Sequence, residues 1–111
     1  MSYIKVAKLS ELEPDAPHRV QVNGTAVVLV RVADEVFAVS DTCTHEDAEL
    51  SGGFIEDCSI ECPRHGALFD LKTGEALTLP AVKPLQTFPV RVDGTSVLVG
   101  VDTPQLEAAS R

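Results

Sequence analysis

The sequence predicts an all-β, antiparallel domain interrupted by an inserted segment, on three observations. Tight-turn dipeptides fall between short runs of β-branched residues, and only one six-residue stretch has any helical character. The centre of the chain, from Cys43 to about Leu79, is richer in Gly, Cys, His and acids than the strand-like runs on either side. Short strands separated by turn chemistry are the signature of a strand-built fold.

In order along the chain, SELEPD is the stretch with helical character. Pro14 and Pro17 limit it to a single turn, because proline removes a backbone donor and clashes with the preceding turn. VQVNGTAVVLV then sets Asn23 and Gly24 between two apolar runs. Asn-Gly readily adopts the positive φ angles of a type I′ turn, so a hairpin is predicted. RVADEVFAV is a second hairpin, with the bend placed at Asp34 and Glu35, and FPVRVDGTSVLVGV a third, turning at Asp93 and Gly94. All three read as β-branched residues alternating with polar ones, the pattern of a strand with one face in a core. Within the central segment IEDCSIEC reads as a further hairpin, and the tail TPQLEAASR is expected to be poorly ordered. The predicted organisation is one domain over 1–102, an inserted subdomain at about 41–80, and a C-terminal tail over 103–111.

Composition bounds the function. A chain of 111 residues suits one core and leaves no room for a second catalytic domain. With no Trp, one Tyr and four Phe, the core must rest on Val, Leu, Ile and Ala. The formal charge is −8, from 17 acidic and nine basic residues, which argues against a nucleic-acid ligand and for partners with a basic face. No run approaches the roughly 20 apolar residues of a membrane span, so the cytoplasm is the expected compartment; the expected oligomeric state is a monomer. Three cysteines form no disulfide framework. GxGxxG and P-loop patterns are absent, and nothing supplies a hydride acceptor or a flavin site.

Two of the three cysteines and two of the three histidines cluster as Cys43-x-His45 and, after sixteen intervening residues, Cys62-x-x-His65. Each pair follows a strand-like run, VFAVSDTCTH or SIECPRH, with Gly or Pro nearby to let backbone approach closely. Two such loops can meet over one metal centre. Four ligands of this type could hold a tetrahedral zinc in a structural module. Zinc fingers, however, usually pair Cys with Cys and His with His. One Cys and one His from each loop is what a two-iron cluster needs when one iron takes both thiolates and the other both imidazoles. A mononuclear iron site built from the histidines and Asp70 is a third reading, but it leaves both cysteines without a role.

Cys43-Thr44-His45 and Cys62-Pro63-Arg64-His65-Gly66 together resemble the Rieske iron–sulfur motif. The resemblance continues through ALFDLKTGEALTLPAVKPLQTFPVRVDG to the soluble Rieske ferredoxins of bacterial ring-hydroxylating oxygenases. It implies a Rieske-like antiparallel β-sandwich scaffold with an inserted cluster-binding subdomain and one 2Fe-2S cluster. Cys43 and Cys62 would bind the inner iron, His45 and His65 the outer iron near solvent, and the segment Leu79, Pro80 and Ala81 would lie over the cluster. The implied function is one-electron transfer from an NAD(P)H-dependent flavoprotein reductase to a terminal oxygenase. The small Rieske-like subunit of a nitrite reductase is the alternative within the same resemblance.

High-potential members of the family add a disulfide beside the histidines, where this chain has Glu46, Asp47, Ala48 and Arg64. They also place a Ser and a Tyr two and four residues after the second histidine, where this chain has Ala67 and Phe69. Fewer donors to the sulfurs and more nearby acids leave a reduced cluster less stabilised. The potential is therefore expected in the low part of the Rieske range of about −150 to +300 mV. Glu46, Asp47 and Glu49 are expected to form an acidic collar for docking near His45 and His65, although an acidic run can equally be a solvated face. Cys58 is read as a turn or buried thiol and His18 as a surface strand entry, neither with a role at the site.

Overall fold

The computed structural model describes residues 2–41, 49–63, 66–78 and 84–101. Ten strands are described: β1 (Ser2–Lys8), β2 (Pro17–Val22), β3 (Thr25–Val32), β4 (Glu35–Ser40), β5 (Phe54–Glu56), β6 (Ser59–Glu61), β7 (Leu68–Asp70), β8 (Thr87–Phe88), β9 (Val90–Asp93) and β10 (Ser96–Val101). They form three sheets, ordered β1-β10-β9, β2-β3-β4-β8 and β5-β6-β7, with every ladder antiparallel. Leu9–Glu11 makes one 3-10 turn that overlaps the start of SELEPD, the stretch read as a single turn, and begins one residue before it. The third sheet falls between β4 and β8 in sequence, so strands on both sides of it complete the scaffold.

The four-stranded sheet is the middle layer, and β3 shows why. Val27 to Val30 are all fully buried, not alternately exposed as the pattern suggested. Val27 and Leu29 join Ala7, Val22, Val36, Ala38, Val97 and Val99 on one face, against the β1-β10-β9 sheet. Val28 and Val30 join Val39, Leu50, Ile60, Cys62, Phe69 and Leu71 on the other, against the β5-β6-β7 sheet. A strand covered on both sides reads as a continuous apolar run because both of its side-chain rows lie in a core.

The hairpin at Asn23 and Gly24 forms as predicted, with φ of 51° and 81° at its two central residues. The other two turn one residue away from the predicted bend. Val32 pairs with Glu35, so the central residues are Ala33 and Asp34, and Asp93 pairs with Ser96, so they are Gly94 and Thr95. The second shift has a local cause: Gly94, at φ 63°, takes the first central place of the loop, where glycine alone adopts positive φ without strain. β1 went unread in the sequence; it pairs with β10 across a register shift between Lys5 and Ala7. The expected tail at 103–111 lies outside the described residues.

Candidate metal centre

The β5-β6-β7 sheet is built to deliver Cys62. Asp57 and Cys58, at φ 48° and 60°, turn the chain between β5 and β6, and the Ser59 hydroxyl donates to the Glu56 carbonyl across that turn at 2.5 Å. β6 ends at Glu61, and the next residue, Cys62, is 0% exposed within the core shared with Val28, Leu50 and Phe69. Its N–H donates to the Ala67 carbonyl at 2.8 Å, and the Gly66 N–H donates back to the Cys62 carbonyl at 3.0 Å. This tight return requires positive φ at Gly66, which stands at 72°. Pro63 and Gly66 are exposed while Cys62 and Ala67 are buried, so the turn spans from core to surface.

Two further segments reach the same place. Asp41 follows β4; its N–H donates to the Ala26 carbonyl at 3.1 Å and its own carbonyl accepts the Leu50 N–H at 2.7 Å. The buried Asp41 carboxylate accepts the Ser51 N–H at 2.7 Å, the Ser51 hydroxyl at 3.2 Å and Arg19 Nε at 2.8 Å. Arg19 also reaches Glu49, at 3.5 Å. A Cβ built on Gly52 would lie 3.9 Å from Pro63 Cγ, so the chain just after Ser51 runs beside the chain just after Cys62. Gly53 can be nothing larger, because a Cβ there would run into the Glu61 carbonyl. On the other flank the Leu68 amide donates to Thr78 Oγ1 at 2.9 Å and Leu77 N–H to the Leu68 carbonyl at 2.8 Å, directly before the stretch containing Pro80.

Of the predicted site residues, Cys62 is therefore placed, while Cys43, His45, His65 and Pro80, with Glu46, Asp47 and Arg64, lie outside the described residues. The remaining candidates separate. Asp70 pairs with Ser59 at the turn end of β6, opposite the Cys62 end, and its carboxylate accepts the Lys72 N–H at 2.9 Å. His18 pairs with Leu29 and so shares the face turned away from Cys62. Cys58 sits at the hairpin turn, and burial pushes its thiol above the usual cysteine range, with nearby Lys72 opposing and Asp70, Glu35 and Asp15 adding to the rise. Asp41 and Arg19 were not singled out in the sequence. They are 22 residues apart on different elements, and no local spacing signals such a pair.

Ala67 and Phe69 are both fully buried and carry no hydroxyl. Outward from the same sheet, Phe54, Glu61 and Leu68 lie opposite one another on β5, β6 and β7, with Leu77 bonded alongside Leu68. Phe54 is 66% and Leu77 49% exposed, so an apolar row with one carboxylate borders the Cys62 turn. A free thiol at 0% exposure among apolar side chains fits one kind of metal group well. Two ferric ions, two sulfides and two thiolates sum to zero charge, so such a cluster adds no net charge to an apolar core in its oxidised state.

The family model described as "Rieske [2Fe-2S] domain" matches residues 2–89. The 3-phenylpropionate/cinnamic acid dioxygenase ferredoxin subunit of Shigella boydii is 44% identical over 82 residues, 73% of this chain and 76% of that one. The ferredoxin component of biphenyl 2,3-dioxygenase from Rhodococcus jostii is 38% identical over 102 residues, covering 92% and 95%. Among solved structures, the ferredoxin of carbazole 1,9a-dioxygenase from Nocardioides aromaticivorans superposes with a TM-score of 0.88 at 38% identity, covering 92% of this chain and all of that one.

Proposed function

This chain belongs to the Rieske [2Fe-2S] domain family, and from that premise we propose that it is the ferredoxin of a multicomponent ring-hydroxylating oxygenase. It carries single electrons from an NAD(P)H-dependent flavoprotein reductase to the terminal oxygenase. The observation that carries this reading is its likeness to dioxygenase ferredoxin components over nearly the full length of both chains. The same likeness favours the oxygenase pathway over a nitrite reductase subunit and an iron–sulfur cluster over structural zinc. The position of Asp70, at the end of β6 remote from Cys62, counts against the mononuclear iron reading. Among the described residues no helix is long and apolar enough to cross a membrane.

Cys43 and Cys62 hold the inner iron of one Rieske-type 2Fe-2S cluster, and His45 and His65 hold the outer iron. The bound cluster supplies a one-electron redox centre. Cys62, sealed in the core, supports its assignment to the inner iron. Pro80 shields the cluster from the flank marked by Thr78. Ala67 and Phe69 give the sulfurs no hydroxyl, which supports a potential in the low part of the Rieske range. The domain runs over 1–102, with the cluster-binding subdomain at about 41–80.

Partners dock over His45 and His65, within the collar of Glu46, Asp47 and Glu49. The row Phe54, Glu61, Leu68 and Leu77 supports this placement, since exposed apolar ground beside a metal site is what a transient partner covers. Within the collar, Glu49 is paired with Arg19 at 3.5 Å.

The decisive experiment reconstitutes the protein with reductase and oxygenase and scores NADH-dependent product formation with and without it. Turnover that survives omission of this protein sinks the carrier role. Purified protein should be red-brown and contain iron and acid-labile sulfide in equal, twofold amounts. Cys43→Ser and His65→Ala should each abolish that content, and a native spectrum in both would refute the ligand set. Glu46→Lys and Asp47→Lys should keep the spectrum and slow partner reduction, most visibly at low salt.

A further inference from the structure

Asp41 is 1% exposed and has three donors on its carboxylate, a concentration of bonds that a loop residue rarely receives without reason. Those donors come from two places. Ser51 belongs to the chain that re-enters after the segment carrying Cys43 and His45, while Arg19 belongs to β2 of the central sheet. Through its carbonyl Asp41 also holds Leu50, and through its N–H it is fixed to Ala26 before β3 passes into the core. One residue therefore ties both ends of that segment to each other and to the middle sheet. The tie extends onward, because Gly52, next to Ser51, lies against Pro63, next to Cys62.

We propose that Asp41, held by Arg19, is the positioning residue of the cluster. It fixes the segment bearing Cys43 and His45 relative to the turn bearing Cys62 and His65. This rests on the ligand assignment above and names what sets the spacing between the two ligand pairs. Physically, a carboxylate that accepts one guanidinium bond from Arg19 and two bonds from Ser51, all charge-assisted, holds its geometry far more firmly than the same loop tied by backbone bonds alone. Ligand loops held by outer partners bind metal more tightly and more uniformly. The Asp41 charge also lies beside the site, partly compensated by Arg19, so each member of the pair acts on electron addition with opposite sign.

The test uses the cluster-loaded protein and four variants: Asp41→Asn, Asp41→Ala, Arg19→Gln and Arg19→Lys. Cluster release to an iron chelator, followed by visible absorbance, should be about tenfold faster in Asp41→Ala, the lower end of what losing an outer partner costs a metal site. Arg19→Gln should accelerate it less, and Arg19→Lys should restore the native rate, because an ammonium still pairs with Asp41. Midpoint potential supplies a readout that loose packing alone would not move in this way. Asp41→Asn removes a negative charge and should shift the potential up, whereas Arg19→Gln uncovers one and should shift it down. Native release rates in Asp41→Asn, Asp41→Ala and Arg19→Gln overturn the proposal, as do potentials that move together or stay fixed. Should Asp41→Ala fail to fold, Asp41→Asn and Arg19→Gln carry the test. A Cys43→Ser protein that keeps a native cluster would instead bring down the ligand assignment, and this proposal with it.

Discussion

Among the described residues, two that are neither glycine nor Asn or Asp hold left-handed backbone in turns. Ala33 stands at φ 54° and is exposed, so its side chain contributes no packing to offset the strain. An L-residue pays roughly 1–2 kcal/mol in that region, and a β-branched one more. Thermal melts of Ala33→Gly, wild type and Ala33→Val should therefore rank in that descending order; a Val variant as stable as wild type would contradict the turn geometry. Cys58 is the second case, at φ 60°. Its thiol is pushed up chiefly by burial, so the folded protein keeps that proton to higher pH than the unfolded chain does. The stability tied to it is complete below the unfolded pKa and is lost as pH rises through the folded one. Alkylation of Cys58 in the loaded protein, timed across pH, should be slower than in the denatured chain and should accelerate only at pH above the usual thiol range. At this scale legibility divides by distance along the chain. Asn23 and Gly24 announced their turn and the Cys-x-His and Cys-x-x-His spacings announced a site, but Asp41 and Arg19 meet only because β2, β3 and the end of β4 are folded together.

The elements were legible where turn chemistry is strong and less so where tertiary pairing decides. The bend at 33–34 moved one residue from the predicted dipeptide because strand register has to keep the buried residues on the right face, while that at 94–95 moved because Gly94 takes the positive φ. β1 has no turn signal of its own and is a strand because β10 is there to pair with it. β3 carried the most misleading pattern, since the run from Val27 to Val30 serves two cores. That division makes a prediction. Leu29→Ala empties part of the core against β1-β10-β9 and should cost about 2–5 kcal/mol in denaturant titration while leaving the visible spectrum of the cluster intact. Phe69→Ala opens the core that contains Cys62; it should cost about 3–5 kcal/mol and also speed cluster loss. Equal effects of the two on the cluster would mean that the middle sheet does not separate the cores energetically.

For the whole molecule the two-core arrangement decides how cofactor and fold are coupled. Cys62 lies in the core between β2-β3-β4-β8 and β5-β6-β7, whereas the described residues of the core under β1, β9 and β10 include no predicted ligand. The β5-β6-β7 sheet has strands of three residues each, too few to be stable without support from a second layer or from metal. Binding free energy released at the cluster must therefore be spent largely on that sheet and on the turn from Cys62 to Ala67. Removing the iron anaerobically should then destabilise one side of the protein selectively. Amide hydrogen exchange should show protection falling at Ile60, Cys62 and Phe69, whose amides belong to the small sheet and its turn, by more than the tenfold that a local rearrangement of 1.4 kcal/mol gives. Val97, Val99 and Ala7 should keep their native protection, since their ladder and their apolar contacts lie wholly on the other face. Uniform loss across both cores would show a single cooperative unit. Unchanged protection at Cys62 would show that the small sheet stands on Phe69, Ile60 and Leu71 alone, and that the scaffold presents its ligands ready-made to the cluster.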